Sequence, residues 1–141
     1  MSITEIEMYL DIKSAKILVV DDELHNLALI NETLSLNGYK HVTTTQEPEK
    51  VVQLFESDNF DLIVLDINMP ALDGFAVMEK LKQNENIEIP PILILTAQHM
   101  QDTMLRALES GARDYVTKPF NVNEFLLRVQ NLLEVQMAHK Y

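Results

Sequence analysis

The sequence predicts an α/β fold: an open five-stranded parallel sheet in (βα)5 order, with helices on both faces. Three observations carry that reading. Short apolar runs (KILVV, DLIVL, ILIL) alternate with amphipathic stretches. Runs that are apolar at every position belong to strands covered on both faces, because a half-exposed strand would alternate polar and apolar residues. Right-handed crossovers through the amphipathic stretches then join neighbouring parallel strands.

The elements follow in order. Lys16 to Val20 is the first strand, closed by Asp21-Asp22. Glu23 to Asn37 carries Leu24, Leu27, Ala28, Ile30 and Leu34 near helical spacing, and Gly38 stops it. Lys40 to Thr45 is β-branched and reads as the second strand. Pro48 stands near the first turn of a helix from Glu47 to Ser57, where proline is tolerated, and Val51, Val52, Leu54 and Phe55 supply the buried side. Asp61 to Leu65 is the third strand, closed by Asp66. A loop with Pro70 and Gly74 leads into a helix through Val77, Met78 and Leu81. Pro90-Pro91 precede the fourth strand, Ile92 to Leu95, which ends at Thr96. Met100 to Ser110 is helical and stops at Gly111; Asp114 to Thr117 is a short fifth strand before Lys118-Pro119.

Asn121 is placed to cap a last helix from Val122 onward. Its apolar residues Phe125, Leu126, Val129, Leu132, Leu133, Val135 and Met137 run on without a Gly or Pro stop. The expected organisation is an N-terminal extension over 1–15, a core domain over 16–135, and a continuing helix over 136–141. That helix reads as a truncated connector to an output domain, or as a dimerisation element. In the extension, Ile3, Ile6 and Leu10 approximate a helical stripe.

Composition narrows the function. The 141 residues, 47% apolar and 23% charged, suit one domain, which at this length buries roughly 68–70% of its unfolded surface without staples. The absence of Cys excludes a disulfide framework, a cysteine nucleophile and Cys-type zinc sites. A formal charge of −11 argues against direct binding to nucleic acid or anionic lipid, which need clustered cations. No apolar run approaches the roughly 18 residues of a membrane span, and the acidic start MSITEIEMYLDIK is unlike a signal peptide. The expected location is the cytoplasm. His25, His41, His99 and His139 fall on different elements with no i, i+4 partner and make no metal site.

In an open parallel sheet the ligand site lies at the carboxyl ends of the strands, near a topological switch point. There the first strand delivers Asp21 and Asp22, the third Asp66, the fourth Thr96, and the fifth leads to Lys118. Singly, these read as helix caps, turns or a surface loop. Together they make an acid cluster beside a cation and a hydroxyl. Carboxylates repel by about 1 kcal/mol per pair at 4 Å in water and about 4 at an effective dielectric of 20, so a cation is wanted. Hard oxygen ligands suit Mg²⁺ or Mn²⁺, and an ammonium plus a hydroxyl suit phosphoryl oxygens. The set suggests phosphoryl transfer onto a carboxylate.

Over about residues 16 to 135 the chain resembles the receiver domain of bacterial two-component response regulators, the family of the chemotaxis regulators. The resemblance is carried by VVDDE at Val19 to Glu23, LDINMPALDG at Leu65 to Gly74, the pair Thr96-Ala97, and DYVTKPF at Asp114 to Phe120. It implies the flavodoxin-like form of the predicted fold and a phosphoacceptor at Asp66. Asp22 would bind Mg²⁺ directly, Asp21 largely through water, and Asn68 through its main-chain carbonyl. Thr96 and Lys118 would hold the phosphoryl oxygens, with a cis Lys118–Pro119 peptide, and Thr96 and Tyr115 would form the switch. Asn68 and Gln98 would tune loss of the phosphoryl group to water, while Pro70 and Gly74 shape the loop. The implied donor is a sensor histidine kinase or a histidine phosphotransfer protein. The implied output surface is the fourth helix, fifth strand and fifth helix, to which Met100 and Met104 would add apolar area, with homodimerisation as a further outcome.

Two other classes use parts of this set. A haloacid-dehalogenase-type phosphatase also employs an Asp nucleophile, Mg²⁺, Thr and Lys, but its nucleophile follows the first strand and a second Asp stands two residues on, where this chain has Asn68. A phosphate-independent receiver-like binding module usually lacks one of the acidic, Thr or Lys positions, all of which are present here.

Overall fold

A computed structural model describes residues 2–69, 73–97, 101–119 and 121–138. In chain order the elements are α1 (Ile3–Lys13), β1 (Lys16–Val20), α2 (Leu24–Leu36), β2 (His41–Thr45), a 3-10 turn (Pro48–Lys50), α3 (Val51–Ser57), β3 (Leu62–Asp66), α4 (Gly74–Gln83), β4 (Ile92–Thr96), α5 (Gln101–Glu109), β5 (Asp114–Thr117) and α6 (Val122–Ala138). The strands form one sheet in the order β2-β1-β3-β4-β5, parallel throughout. This is the predicted open sheet, with one further helix at the front. Pro70, Gln98, His99, Met100, Phe120 and His139 lie outside the described residues.

The sheet separates two apolar layers, and the strands feed both by alternation. Ile17, Val19, Leu62, Val64, Leu93, Leu95 and Val116 pack with residues of α1, α2 and α6. Leu18, Val20, Ile63, Leu65, Ile92 and Ile94 pack with α3, α4 and α5. Each such side chain contributes about 1.5–3 kcal/mol by leaving water, which is why β1, β3 and β4 are apolar at almost every position. β2 is different: His41 and Thr44 are exposed and the rest half-buried, so a polar edge strand closes that side of the sheet, a common guard against edge pairing.

Helix ends are set locally. Gly38 (φ 90°) ends α2 in the left-handed conformation expected of a glycine stop. At α4 the Asp73 carboxylate accepts the Ala76 N–H at 2.8 Å, and at α6 Asn121 Oδ1 accepts the Glu124 N–H at 3.1 Å, each satisfying a donor that the first turn leaves open. α6 buries Phe125, Val129, Leu133 and Met137 at i, i+4 spacing, while Val135 points outward. α2 buries Leu27, Ile30, Thr33 and Leu34, leaving Leu24 and Ala28 exposed. The segment expected as a helix from Glu47 begins as the 3-10 turn Pro48–Lys50 instead, and the α-helix follows from Val51.

The extension is a formed helix. Ser2 Oγ accepts the Glu5 N–H at 3.1 Å and Glu5 answers at the Ser2 N–H, a reciprocal cap. Its docking face is not the stripe read from sequence. Ile12 joins the α2/α6 layer with Met8 against it, and the Lys13 ammonium stacks 4.1 Å from the Tyr39 ring centre and donates to the Asn37 carbonyl at 2.7 Å. Ile3, Ile6 and Leu10 lie on the opposite side, 76%, 43% and 54% exposed. α1 has apolar residues on two faces, so spacing alone could not choose between them.

Candidate functional site

The strand order places β1 next to β3, and their carboxyl ends stand level, with Val20 opposite Leu65. Asp21 follows β1 directly and Asp66 ends β3, so two stretches 45 residues apart present adjacent carboxylates. Asp21, Asp22 and Asp66 offer oxygens that all lie within 4.8 Å of one another. β5 stands one strand further out than β4, but its exit returns: the Lys118 N–H donates to the Thr96 carbonyl at 2.7 Å. From there the Lys118 ammonium reaches Asp21 Oδ2 at 3.1 Å and Asp66 Oδ2 at 3.2 Å. The Lys118–Pro119 peptide is cis. The end of β2 supplies none of Asp21, Asp22, Asp66, Thr96 or Lys118, since it lies outside β1, away from the switch point.

Burial makes this cluster costly. Asp21 is 0%, Thr96 1% and Asp66 2% exposed, whereas Asp22 is half-buried. Desolvation pushes the Asp66 carboxyl above the ordinary carboxylate range, and the Asp21 charge adds to it, against the opposing pull of the Asn68 N–H and Lys118. Burial also pulls the Lys118 ammonium down, but the charges and hydrogen bonds of Asp66 and Asp21 outweigh it and leave the group raised. Other acceptor sites are occupied by main chain: the Asn68 N–H donates to Asp66 Oδ1 and the Glu23 N–H to Asp21 Oδ1, both at 3.0 Å. Three carboxylates against one ammonium leave the cluster two charges negative. The donors are hard oxygens, and one cation already bridges two of them, so the residues fit a small divalent ion such as Mg²⁺.

The remaining expected residues are placed as follows. Gly74 is required by a close approach: a Cβ there would stand 2.7 Å from Ile67 Cα and 2.9 Å from the Asp66 carbonyl oxygen. That brings the start of α4 against the end of β3; Pro70, expected with Gly74 to shape the loop, is outside the described residues. The Asn68 side chain is exposed. Tyr115 is half-buried and packs against the α3/α4/α5 layer, with Ile94 as its β4 neighbour in register. Gln98 cannot be placed among the described residues. Met104 is half-buried on α5. Two supports were not visible in the sequence. Gln46, just past β2, donates to the Asp22 carbonyl at 3.1 Å, and Arg128 Nη1 on α6 holds both Asp114 oxygens at 2.9 and 2.8 Å, fixing β5 ahead of Lys118. Both are contacts across the fold with no local spacing to betray them.

Fold and site together define a doubly wound α/β domain with a buried acidic cluster at its switch point. The chain matches the Response regulator receiver domain family over residues 17–130 and belongs to that family. Among curated relatives it is 39% identical over 124 residues to "Probable transcriptional regulator ycf27" of Cyanophora paradoxa, an alignment covering 88% of this chain and 50% of that protein. It is similar to the structure of a putative response regulator from Chloroflexus aurantiacus J-10-fl, with a TM-score of 0.78, 30% identity, and coverage of 85% of this chain and 98% of that one. It is also similar to the receiver domain of a sensor histidine kinase from Pseudomonas aeruginosa PAO1, solved with a magnesium ion coordinated in the active site cleft (TM-score 0.75, 31% identity, 85% and 98% covered). The chain spans about half the length of the curated relatives it matches. No helix among the described residues is long and apolar enough to cross a membrane.

Proposed function

We propose that this receiver domain accepts a phosphoryl group on Asp66 from a phosphohistidine donor, a sensor histidine kinase or a histidine phosphotransfer protein, in the cytoplasm. The observation that carries the reading is the pairing of Lys118 with both Asp21 and Asp66 at the buried switch point. An Asp66 oxygen attacks phosphorus; the new O–P bond forms as the N–P bond breaks, and the imidazole leaves having taken up a proton. Asp21, Asp22 and Asp66, with the Asn68 main-chain carbonyl, would hold Mg²⁺ or Mn²⁺, and the similar Pseudomonas aeruginosa domain was solved with a magnesium ion coordinated in its active site cleft. A bound divalent ion supplies charge neutralisation at the phosphoryl oxygens.

Phosphorylation replaces one negative charge by roughly two and adds three acceptor oxygens. Lys118 then exchanges a carboxylate partner for a phosphoryl one, and Thr96 gains an acceptor for its hydroxyl. Because these partners exist in one state only, they bias an equilibrium between two arrangements of the switch pair Thr96 and Tyr115. The face of α5, β5 and α6 carries that change to an output domain or a separate partner. By the family resemblance, Asn68 and Gln98 would tune how fast water removes the group.

The test is intact-mass measurement after treatment with acetyl phosphate, with and without Mg²⁺, on the parent chain and on Asp66→Asn. A Mg²⁺-dependent gain of one phosphoryl unit, absent from the variant, is expected. Equal labelling of the variant would overturn the role of Asp66. Steady turnover of a chromogenic phosphate ester would instead point to a phosphatase.

A further inference from the structure

At the opposite edge of the sheet from the carboxylate cluster lies a groove of about 500 Å³, bounded by the end of α4, the start of β4, the turn between α5 and β5, and the last turns of α6. Its walls include Ile89, Pro90, Leu132 and Val135, and its ionisable lining residues are Lys82 and Arg113. Ile89 and Val135 are exposed there. Neither cation pairs with a carboxylate among the described residues. On a chain of net charge −11, an apolar groove edged by two free cations selects an occupant that is apolar and acidic.

The chain carries such a segment itself. The outward stripe of α1 is Ile3, Ile6, Tyr9 and Leu10, and helical spacing sets Glu7 and Asp11 along one border of it. Glu5 is engaged in the cap and is not part of that border. The groove of the same molecule is not where α1 sits, because Ile12 and Met8 fasten the helix to the α2/α6 layer. Both surfaces, however, flank the C-terminal half of α6: α1 packs against that helix, and Leu132, Val135 and Gln136 form a wall of the groove.

We propose that the chain forms a two-fold dimer in which α1 of each copy lies in the α6-side groove of the other. Its apolar stripe meets Ile89, Pro90 and Val135, and Glu7 and Asp11 meet Lys82 and Arg113. A two-fold axis beside α6 makes both contacts at once and closes the assembly, whereas a single one-way contact would propagate into a filament. The ion pairs set the register of the helix in the groove and make association weaken with salt. This contact is independent of the phosphoryl chemistry, since it uses the far edge of the sheet.

Analytical ultracentrifugation of the full chain over a range of concentrations tests it. A monomer–dimer equilibrium is expected for the parent, weakened at least tenfold by Ile6→Glu with Leu10→Glu, and at least tenfold by Lys82→Glu with Arg113→Glu. Circular dichroism checks that these surface variants stay folded. An equimolar mixture of the two double variants regains heterodimers through its one intact contact, and Glu7→Lys combined with Lys82→Glu recovers association lost in Lys82→Glu alone. A parent that stays monomeric throughout overturns the proposal. So does a dimer that survives the groove variants, which would mean that α1 pairs with α1 or that another face is used.

Discussion

Replacing Asp66 by Asn removes one charge from the buried cluster and leaves its size and its acceptor for the Asn68 N–H in place. The Asp66 oxygens lie no more than 4.8 Å from oxygens of Asp21 and Asp22 and 3.2 Å from the Lys118 ammonium. At an effective dielectric of 20, each repulsion at that separation costs about 3.5 kcal/mol and the attraction returns about 5. Two repulsions against one attraction leave a net cost of about 2 kcal/mol. The metal-free variant is therefore expected to exceed the parent by about 2 kcal/mol in urea unfolding at pH 7, read as a higher midpoint at unchanged m. The pH dependence has a definite sign. Burial raises the Asp66 carboxyl, so the native state holds that proton more tightly than the unfolded chain. The parent loses stability as pH rises through the interval between the unfolded and native values, and the gap closes below about pH 4. Added Mg²⁺ should narrow the gap from the other side, by stabilising the parent more. A variant no more stable than the parent without metal, or a gap unchanged at low pH, would refute the reasoning.

Other outcomes follow from single contacts. Lys118→Met leaves Asp21 and Asp66 buried without their cation and should cost about 3–5 kcal/mol without metal, partly restored by Mg²⁺; an effect below 1 kcal/mol would mean the cluster is better hydrated than it looks. Gly74→Ala must push the start of α4 away from Ile67 and should lower stability by about 1–3 kcal/mol and slow acetyl-phosphate labelling, both measurable on one preparation. Leu133→Ala opens a cavity between α6 and the sheet and should cost about 2–5 kcal/mol in the same urea assay. Arg128→Ala breaks a partly exposed ion pair and should cost no more than about 1 kcal/mol, which makes it a control for the buried cluster.

The sequence was informative where one local cause sets the outcome. β1, β3 and β4 were legible because burial on both faces demands an unbroken apolar run, and Asp66 and Lys118 because they stand directly at strand ends. Gly38 and Asn121 acted as the stop and cap their chemistry favours. What could not be read depended on packing between distant segments. The buried face of α1 is chosen by what Ile12 and Met8 find on α2 and α6, not by spacing within the helix. The contact from Gln46 to Asp22 requires β2 to pair with β1, and the sharing of one groove by Lys82 and Arg113 requires α4 to end at the edge where β5 begins. The buried Asp21 and half-buried Asp22 are neighbours with nearly identical local sequence, so their different exposure comes from the fold alone.

The sheet acts as a septum. Ile94 and Leu95 are adjacent in the chain, yet one belongs to the compartment of α3, α4 and α5 and the other to that of α1, α2 and α6. A disturbance in either compartment meets a wall of interlocked strands before it reaches the other. At the carboxyl rim both compartments border the same few atoms: Gly74 comes so close that a Cβ there would meet the Asp66 carbonyl, and Lys118, leading into α6, grips the Asp66 side chain. A charge placed there addresses both halves of the molecule in a single event.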